Sequence, residues 1–401
     1  MTPDVVITGL GVVSPLGHDP QLLWDGLLRG EAPLSPLDRP GTAIDGTPAY
    51  TVTDPPGPGA AWQQGRASDF ALVAARAALA DAGLLTAEAG VRDNIGVCVG
   101  TGNGDSDLLE AERDGTAELT GQQWFPYGTA ALLARRLGLH GPGLTVSTAC
   151  AAGAYAVAMG AEMITDGDAD LVLVGGAEAV SRPAVGAFVR LGAIDPLRCR
   201  PFDADRAGTV YGEGAAFLLL ESAESAAQRG RTPYARVLSS GWSCDAFHVT
   251  APDPAGRQAA RAAHDALSRG GVTPHDIGAV MCHGTGTPAN DSTESRNTAA
   301  LLGERTAQVP VTAVKSSLGH SGGAAGAFSC VAAALVVRDG VVPPVATLNR
   351  LDPECALRVV RGAPEPSAGS TVLVNAYAFG GNNITVAIGP PAHRADEGGT
   401  P

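Results

Sequence analysis

The chain has 401 residues, 45% of them hydrophobic, and its formal net charge of −14 argues against nucleic-acid binding, which needs a basic surface. No apolar run is long enough to span a membrane, the start of the chain lacks a secretion-signal pattern, and seven scattered cysteines without a CxxC pair argue against disulfides and zinc. We therefore expect a cytoplasmic protein without a metal, built from two or three domains or from one large duplicated unit.

The first half of the chain alternates buried strands with helices. The predicted strands lie at 5–13, 95–99, 144–147, 171–174 and 215–221, and the predicted helices lie at 20–28, 70–83, 129–137, 151–164 and 223–228. Thr129 is the predicted N-cap of the third helix. Residues 31–62 are rich in Pro, Gly, Asp and Thr without periodicity, which predicts a surface excursion.

A cysteine stands where the third strand meets the fourth helix, in Val146-Ser-Thr-Ala-Cys150-Ala-Ala-Gly153. Unpaired backbone N–H groups and the helix dipole stabilise a thiolate at such a place. Cys150 is therefore a candidate nucleophile with a lowered thiol pKa. The alternative is that it is a small buried core residue, which is the usual role of a free cysteine.

The second half repeats the pattern. Its predicted strands lie at 234–241, 277–281, 311–314, 372–376 and 384–388, and its predicted helices lie at 257–269, 293–302 and 324–337. We predict two halves, 1–230 and 231–390, followed by a disordered tail at 391–401. Packing the central helices of both halves between two sheets would bring the turn at Cys150 close to the turn at His320.

Two histidines lie on turns that follow predicted strands. His283 begins His283-Gly-Thr-Gly-Thr-Pro288, and His320 ends Lys315-Ser-Ser-Leu-Gly-His320. Glycine lets a ligand approach the backbone, and loops at strand ends carry function. The alternative for either histidine is a satisfied core residue, but both together with Cys150 predict thiol chemistry on a thioester or a carbonyl.

Lys315 is the single lysine among 27 basic residues. The chain is rich in arginine, so a lysine that is kept indicates a site that needs a compact ammonium group, which a guanidinium cannot replace. The alternative is that one lysine remains by chance. We treat Lys315 as a candidate functional residue.

Four separated motifs resemble the β-ketoacyl-(acyl carrier protein) synthases, the ketosynthases of type II fatty-acid and polyketide assembly. The motifs are Val146-Ser-Thr-Ala-Cys150, His283-Gly-Thr-Gly-Thr-Pro288, Lys315-Ser-Ser-Leu-Gly-His320 and Phe379-Gly-Gly-Asn-Asn383. The resemblance extends from Val5 to Gly389. It implies the thiolase fold, an α/β fold whose duplicated halves form a five-layered αβαβα core.

The resemblance also implies the reaction and the residues that perform it. Cys150 would take an acyl group from acyl carrier protein, and the backbone N–H groups of Cys150 and Phe379 would form the oxyanion hole. His283 and His320 would bind malonyl-(acyl carrier protein) as neutral imidazoles, and a decarboxylative Claisen condensation would follow. Lys315 would pair with Glu294 to position the loops, and Asp291 is a further candidate for this network. The expected setting is type II polyketide or specialised fatty-acid biosynthesis.

Substrate contacts follow from the same resemblance. The residues implied in binding phosphopantetheine or the acyl chain are Thr285, Thr287, Thr250, Asn103, Gly380 and Asn382, with His248 on the same loop as Thr250. Asn382 stands where the family commonly has threonine, and Gly286 where many members have serine. Asn103 stands where an apolar residue usually lines the acyl pocket. A polar group there predicts a polar, unsaturated or short acyl chain.

The implied partner is acyl carrier protein, which carries the substrates on its phosphopantetheine, so that the enzyme itself binds no cofactor. Carrier proteins are acidic, so docking needs a local basic patch, for which Arg198, Arg200 and Arg206 are the candidates. The chain would form a homodimer or a heterodimer with a chain-length-factor-like subunit. The alternatives are a non-catalytic subunit of that kind, which would lack the nucleophile, and a thiolase-fold acyltransferase that uses coenzyme A.

Overall fold

The computed structural model describes residues 3–53, 65–85, 94–116, 118 and 125–391. The predicted tail lies outside these residues apart from Pro391, and the predicted surface excursion lies partly outside them. The strands are β1 (Val5–Val13), β2 (Ser35–Pro36), β3 (Pro48–Tyr50), β4 (Ile95–Gly100), β5 (Gly143–Val146), β6 (Leu171–Glu178), β7 (Tyr211–Gly212), β8 (Gly214–Ser222), β9 (Ala235–Cys244), β10 (Ile277–Met281), β11 (Val311–Thr312), β12 (Val341–Val342), β13 (Glu365–Pro366), β14 (Thr371–Tyr377) and β15 (Asn382–Gly389). The α-helices are α1 (Pro20–Arg29), α2 (Arg66–Asp81), α3 (Ser106–Arg113), α4 (Tyr127–Leu137), α5 (Ala152–Asp166), α6 (Arg182–Arg190), α7 (Ala223–Gln228), α8 (Arg257–Gly270), α9 (Pro288–Leu302), α10 (Lys315–Leu318) and α11 (Ala325–Asp339).

One strand order occurs twice. The strands of the first half lie in the order β5-β4-β6-β8-β1, and those of the second half lie in the order β11-β10-β14-β15-β9. The first three strands of each set are parallel, and the other two are added antiparallel. A short antiparallel pairing of β1 with β9 joins the two sets. This repetition is what a duplicated α/β unit would produce, while the boundary between residues 230 and 231 stays a prediction.

Helices α5 and α11 lie between the two sets of strands and pack against each other and against both sheets. Their sequences are rich in small residues because the backbones approach closely. A Cβ atom on Gly153 would lie 2.8 Å from the backbone nitrogen of Ala327, and one on Gly326 would lie 2.6 Å from that of Ala154. With α2 covering the first sheet and α8 the second, the predicted five layers are present.

The segment Gly322–Asp339 is long and apolar enough to cross a membrane, and 83% of it is buried inside the protein. Twelve of its residues in α11 are buried, and nine of these, including Phe328 and Leu335, form part of the main hydrophobic core. The apolar composition is therefore accounted for by packing between two sheets.

Several predicted boundaries differ from the structure. The helix predicted at 129–137 begins at Tyr127, so Thr129 lies inside it, where its hydroxyl is 3.3 Å from that of Ser68. The strand predicted at 311–314 is only two residues long and leads into the short helix α10. Helix α6 was not predicted, although Ser181 caps it with a hydrogen bond from the N–H of Ala184.

Candidate active site

A cavity of about 250 Å³ lies where the turns of the two halves meet. Seven of the residues predicted from the sequence line it: Cys150, Thr250, His283, Thr285, Thr287, His320 and Phe379. The fold therefore brings together the thiol of Cys150, both imidazoles and the glycine-rich turn that begins at Phe379. These groups come from segments that are up to 229 residues apart in the sequence.

Cys150 lies in a short 3₁₀ turn, Ala149–Ala151, that leads into α5. Ala149 has a φ of 48°, in the left-handed region that residues other than glycine rarely adopt. The thiol is buried, and burial raises its pKa to about 11, while the charge of Lys315 opposes the rise. The expectation of a lowered thiol pKa is therefore wrong for the resting protein, because burial outweighs the helix start.

Two backbone N–H groups are directed at the sulfur of Cys150, its own and that of Phe379. Phe379 begins the turn Phe379–Gly381, in which Gly380 has a φ of 80°. An acyl group attached to the sulfur would place its carbonyl oxygen near these donors. This arrangement can stabilise the negative charge of a tetrahedral intermediate.

The imidazole rings of His283 and His320 lie edge to face, with centroids 5.6 Å apart. Burial lowers the pKa of both rings well below 6.5, and the charge of Lys315 lowers it further. Both histidines are thus neutral at pH 7. Nδ1 of His283 lies 3.3 Å from Nζ of Lys315. An ammonium group can only donate, so Nδ1 accepts and the ring proton lies on Nε2.

Lys315 and Glu294 hold the turn at His283 from two sides. Nζ of Lys315 donates to the carbonyl oxygen of His283 at 2.5 Å, and the carboxylate of Glu294 accepts from the N–H groups of His283 and Gly284 at 2.8 Å each. The predicted direct pairing of Lys315 with Glu294 is wrong in detail. In the described part of the chain no ion pair within 4 Å joins them, because the main chain of the turn takes up their hydrogen bonds.

The carboxylate of Asp291 lies beside this network, as expected. It accepts from the N–H of Phe202 at 2.9 Å and from that of Gly286 at 3.2 Å, and Nε of Arg206 lies 3.6 Å away. Asp291 is fully buried, which raises its pKa, while these partners oppose the rise. It therefore fixes the far end of the turn that begins at His283.

Three predicted substrate residues do not line the cavity in this structure. Gly380 donates its N–H to the carbonyl of Val249 at 2.7 Å, and the side chain of Asn382 donates to the carbonyl of Phe379 at 3.3 Å. Asn103 is half-buried, and its amide donates to the hydroxyl of Tyr211 at 3.4 Å. Gly380 and Asn382 therefore shape the turn at Phe379, whereas Asn103 contacts Tyr211.

The hydroxyls of Thr285 and Thr287 lie 2.8 Å apart on one wall of the cavity. On the loop opposite, Nδ1 of His248 accepts from the N–H groups of Thr250 and Ala251, each at 3.1 Å. His248 is itself exposed, so it shapes the loop that presents Thr250.

The predicted basic patch is largely taken up by ion pairs. Arg206 is buried, with 3% of its side chain exposed, and it binds Asp352. We therefore drop Arg206 as a docking residue, because its guanidinium is not accessible to a partner. Arg200 pairs with Asp195 at 2.7 Å and is half-buried, whereas Arg198 is exposed.

Two residues of the site were missed at the sequence level. Phe188 of α6 lines the cavity, where its ring lies 5.5 Å from that of Phe379 and 5.7 Å from that of His320. Glu178 is fully buried at the end of β6 and contacts the turns behind Cys150. The signal for Glu178 was present, since a carboxylate closes the apolar strand Leu171–Glu178.

Two family models together cover most of the chain. Residues 2–226 match the family model described as "Beta-ketoacyl synthase, N-terminal domain", and residues 234–349 match its C-terminal counterpart. The chain is 35% identical to 3-oxoacyl-[acyl-carrier-protein] synthase 2 of Synechocystis sp., with 96% of this chain and 97% of the relative covered. It is also 35% identical to Nodulation protein E of Rhizobium meliloti, over 96% and 98% of the two chains.

Solved structures show the same architecture. The ishigamide ketosynthase/chain length factor is 36% identical, with a TM-score of 0.89 over 98% of this chain and all of that chain. A type II polyketide synthase ketosynthase, bound to its acyl-carrier protein and to the hexaketide, is 27% identical, with a TM-score of 0.86 over the same shares. The predicted α/β thiolase fold is confirmed by this likeness.

Proposed function

Because the chain belongs to the β-ketoacyl synthase family, we propose that it condenses an acyl group held on Cys150 with malonyl-(acyl carrier protein). It is a condensing enzyme and an acyltransferase. The observation that carries the proposal is the convergence of one thiol, two neutral imidazoles and the N–H of Phe379 on one cavity. The setting that we propose is type II polyketide or specialised fatty-acid synthesis.

The first half-reaction transfers the acyl group. The sulfur of Cys150 attacks the carbonyl carbon of the acyl thioester, and the N–H groups of Cys150 and Phe379 stabilise the resulting oxyanion. The carbon–sulfur bond to phosphopantetheine then breaks. The departing thiolate takes the proton that the Cys150 thiol loses, so that charge is balanced at the end of the step.

The second half-reaction uses the histidine side of the cavity. Nε2 of His283 and Nε2 of His320 donate to the thioester oxygen of the malonyl group, so that loss of carbon dioxide leaves an enolate. The enolate carbon attacks the acyl carbonyl on Cys150, and the carbon–sulfur bond to the enzyme breaks. Cys150 leaves as a thiolate and takes up one proton from water, which restores the resting thiol. Lys315 assists by holding the tautomer of His283 that carries its proton on Nε2.

Acyl carrier protein is the proposed partner. Apolar side chains are exposed near the mouth of the cavity, among them Leu191, which lines it, and Val249, which precedes Thr250 and is 74% exposed. Arg198 is the exposed cation of the predicted patch. One of the structurally similar complexes contains a type II acyl-carrier protein bound to its ketosynthase. We propose a cytoplasmic enzyme that receives its substrates in this way and binds no cofactor of its own.

The chain is also proposed to work as a dimer. Strand β5, which leads to Cys150, is the edge of the large sheet, so that one side of it is free to pair with another chain. Neighbouring structures contain ketosynthases with chain length factors. Both a homodimer and a heterodimer with such a subunit fit the open edge. The proposal that this chain is itself a non-catalytic subunit is disfavoured by its complete set of reactive groups.

Mass spectrometry after mixing the protein with an acyl carrier-protein thioester tests the proposal. We expect an acyl adduct on the peptide that contains Cys150, and none in Cys150→Ala. Cys244 is the exposed cysteine, so Cys244→Ala is the matched control and should keep the adduct. Absence of the adduct from the wild-type protein would overturn the assignment of Cys150.

Charge reversal tests the docking surface. Arg198→Glu should raise the KM for acyl carrier protein severalfold and leave kcat unchanged, because it alters encounter and not chemistry. Arg261 is 52% exposed on the outer helix α8, and Arg261→Glu is the control. If both variants behaved like the wild type, Arg198 would not belong to the docking surface.

A further inference from the structure

Glu178 is a fully buried carboxylate that the reaction described above does not use. Its Oε2 accepts from the N–H groups of Gly102 at 2.8 Å and Gly323 at 2.7 Å, and its Oε1 accepts from the N–H of Asn103 at 3.0 Å. No ion pair within 4 Å reaches it among the residues that the structure describes. The carboxylate therefore joins the turn after β4 to the turn before α11 through main-chain donors, and the side-chain amide of Asn103 adds a further hydrogen bond.

Both turns are packed too tightly for side chains. A Cβ atom on Gly102 would lie 2.8 Å from Oε2 of Glu178, and one on Gly322 would lie 2.5 Å from the same oxygen. A Cβ atom on Gly153 would lie 2.8 Å from the carbonyl oxygen of Gly323. Gly153 is three residues after Cys150, in the first turn of α5. The position of Gly323, and through it the position of the nucleophile turn, thus depends on Glu178.

The charge of Glu178 also acts on the thiol. It raises the pKa of Cys150, whereas the charge of Lys315 lowers it. Burial raises the pKa of Glu178 itself to about 7, and its three backbone donors oppose the rise. The other groups that face it are neutral at pH 7: the hydroxyl of Tyr211 on β7 and the amide of Asn103.

We propose that Glu178 is a positioning residue for Cys150, whose buried carboxylate holds the two turns beneath the nucleophile. This inference rests on the proposed role of Cys150 as the acyl anchor. It assigns to Glu178 a function opposite to that of Lys315. The charge of Glu178 favours the thiol form of Cys150, and the charge of Lys315 favours the thiolate.

The rate at which iodoacetamide alkylates Cys150, measured from pH 6 to pH 11 on the full chain, tests the inference. Alkylation is located by mass spectrometry of the Cys150 peptide. Glu178→Gln keeps one acceptor oxygen and removes the charge, so the midpoint of the profile should fall. Since one pKa unit is a tenfold change in thiolate, we expect alkylation at pH 8 to be roughly three- to tenfold faster.

Two further variants make the test specific. Glu178→Asp keeps the charge on a shorter side chain, so its midpoint should stay near that of the wild type while acyl transfer slows. Glu162→Gln changes an exposed carboxylate of the same helix α5 and should change neither quantity. If Glu178→Gln were less stable but had the wild-type midpoint, Glu178 would be a structural acceptor only. If Glu178→Gln failed to fold, Glu178→Asp would decide. A shifted alkylation midpoint in Glu178→Asp would overturn the inference, whereas an unshifted midpoint together with slower acyl transfer would support it.

The proposed function can fail separately. Suppose that the alkylation midpoint shifts in Glu178→Gln but the wild-type protein never forms an acyl adduct on Cys150. The effect of Glu178 on the thiol would then be supported, and the proposed role of Cys150 as acyl anchor would be overturned. A normal adduct with an unmoved midpoint would overturn the inference about Glu178 alone.

Discussion

The nucleophile side and the histidine side of the cavity are built on the same strand order but hold their reactive groups by different means. Around Cys150 the contacts are made by main chain, with glycines at each close approach and one carboxylate, Glu178, binding N–H groups. Around His283 they are made by side chains, chiefly Lys315 and Glu294. The nucleophile side fixes the position of the Cys150 sulfur, and the histidine side fixes which nitrogen of His283 carries the proton.

This difference explains the charges at rest. Burial raises the pKa of the thiol and lowers the pKa of both imidazoles, so that these three reactive groups are neutral at pH 7. Lys315 lies behind them. Negative charge would then develop on the thiol and on the substrate oxygens only during the reaction, where N–H donors are already in place to stabilise it.

Removal of the nucleophile should separate the two sides most strongly. Cys150→Ala should lower condensation by roughly 10⁴-fold or more, because no acyl-enzyme can form. It should still release carbon dioxide from malonyl-(acyl carrier protein), since that step uses only the histidines. Carbon dioxide release and product formation would be measured in the same reaction. Loss of both activities in a folded variant would show that the sides do not act separately.

The converse variant acts on the other side. His283→Ala should lower both decarboxylation and condensation by about 10²- to 10⁴-fold, because the enolate loses a hydrogen-bond donor. The acyl adduct on Cys150 should form as in the wild type. Adduct formation followed by mass spectrometry, beside product formation, checks this pair of results. A missing adduct would mean that His283 also serves acyl transfer.

Replacing the lysine should show why the chain keeps one. Lys315→Arg places a broader guanidinium in a site that is 2% exposed, and overpacking costs about 1–3 kcal/mol of unfolding free energy. Decarboxylation should fall by roughly one order of magnitude as His283 shifts. Urea unfolding and carbon dioxide release measure the two effects. Arg29→Lys, on an exposed side chain, is the control; a stable and active Lys315→Arg would contradict the explanation.

Acid should affect the histidine side first. The folded-state pKa of His283 and that of His320 lie well below 6.5, so decarboxylation by Cys150→Ala should be level from pH 6.5 to 8. Below pH 6.5 both histidines become protonated in the unfolded chain but stay neutral in the folded chain. The rings should therefore lower stability by up to about 1.4 kcal/mol per histidine per pH unit. Burial raises the pKa of Glu178 to about 7 and that of Asp105 to about 6, and these groups act with the opposite sign. The contribution of one ring is therefore measured as the difference in unfolding free energy between the wild type and His283→Ala, by urea unfolding at pH 7.5 and 5.5. A difference that did not change between these two pH values would contradict the neutral state of the ring.

The smallest effect concerns the acyl chain. Asn103→Ile removes the hydrogen bond to Tyr211 and replaces a half-buried amide with an apolar side chain. We expect a severalfold shift in favour of longer saturated acyl groups, measured by competition among carrier-protein thioesters of different length. Unchanged selectivity would contradict the proposal that the natural acyl chain is polar, unsaturated or short.

The sequence predicted which groups react better than it predicted their state. Cys150 lies between a strand and a helix, and His283 and His320 lie on glycine-containing turns. Loops at strand ends carry function, so the convergence of these three groups was foreseeable. The pKa of the thiol was not, because it depends on burial by residues far away in the chain. Arg206 illustrates the same limit, since the carboxylates that bind it come from Asp291 and Asp352.

The solitary lysine has a practical consequence. Every cationic side chain on the surface is a guanidinium or an imidazole, and Lys315 supplies the only side-chain amine, which is closed off in the core. Succinimidyl esters should therefore leave the side chains of the folded surface unlabelled. The rate at which Lys315 is acylated would then report how often the catalytic core opens at this one position, without any engineered probe.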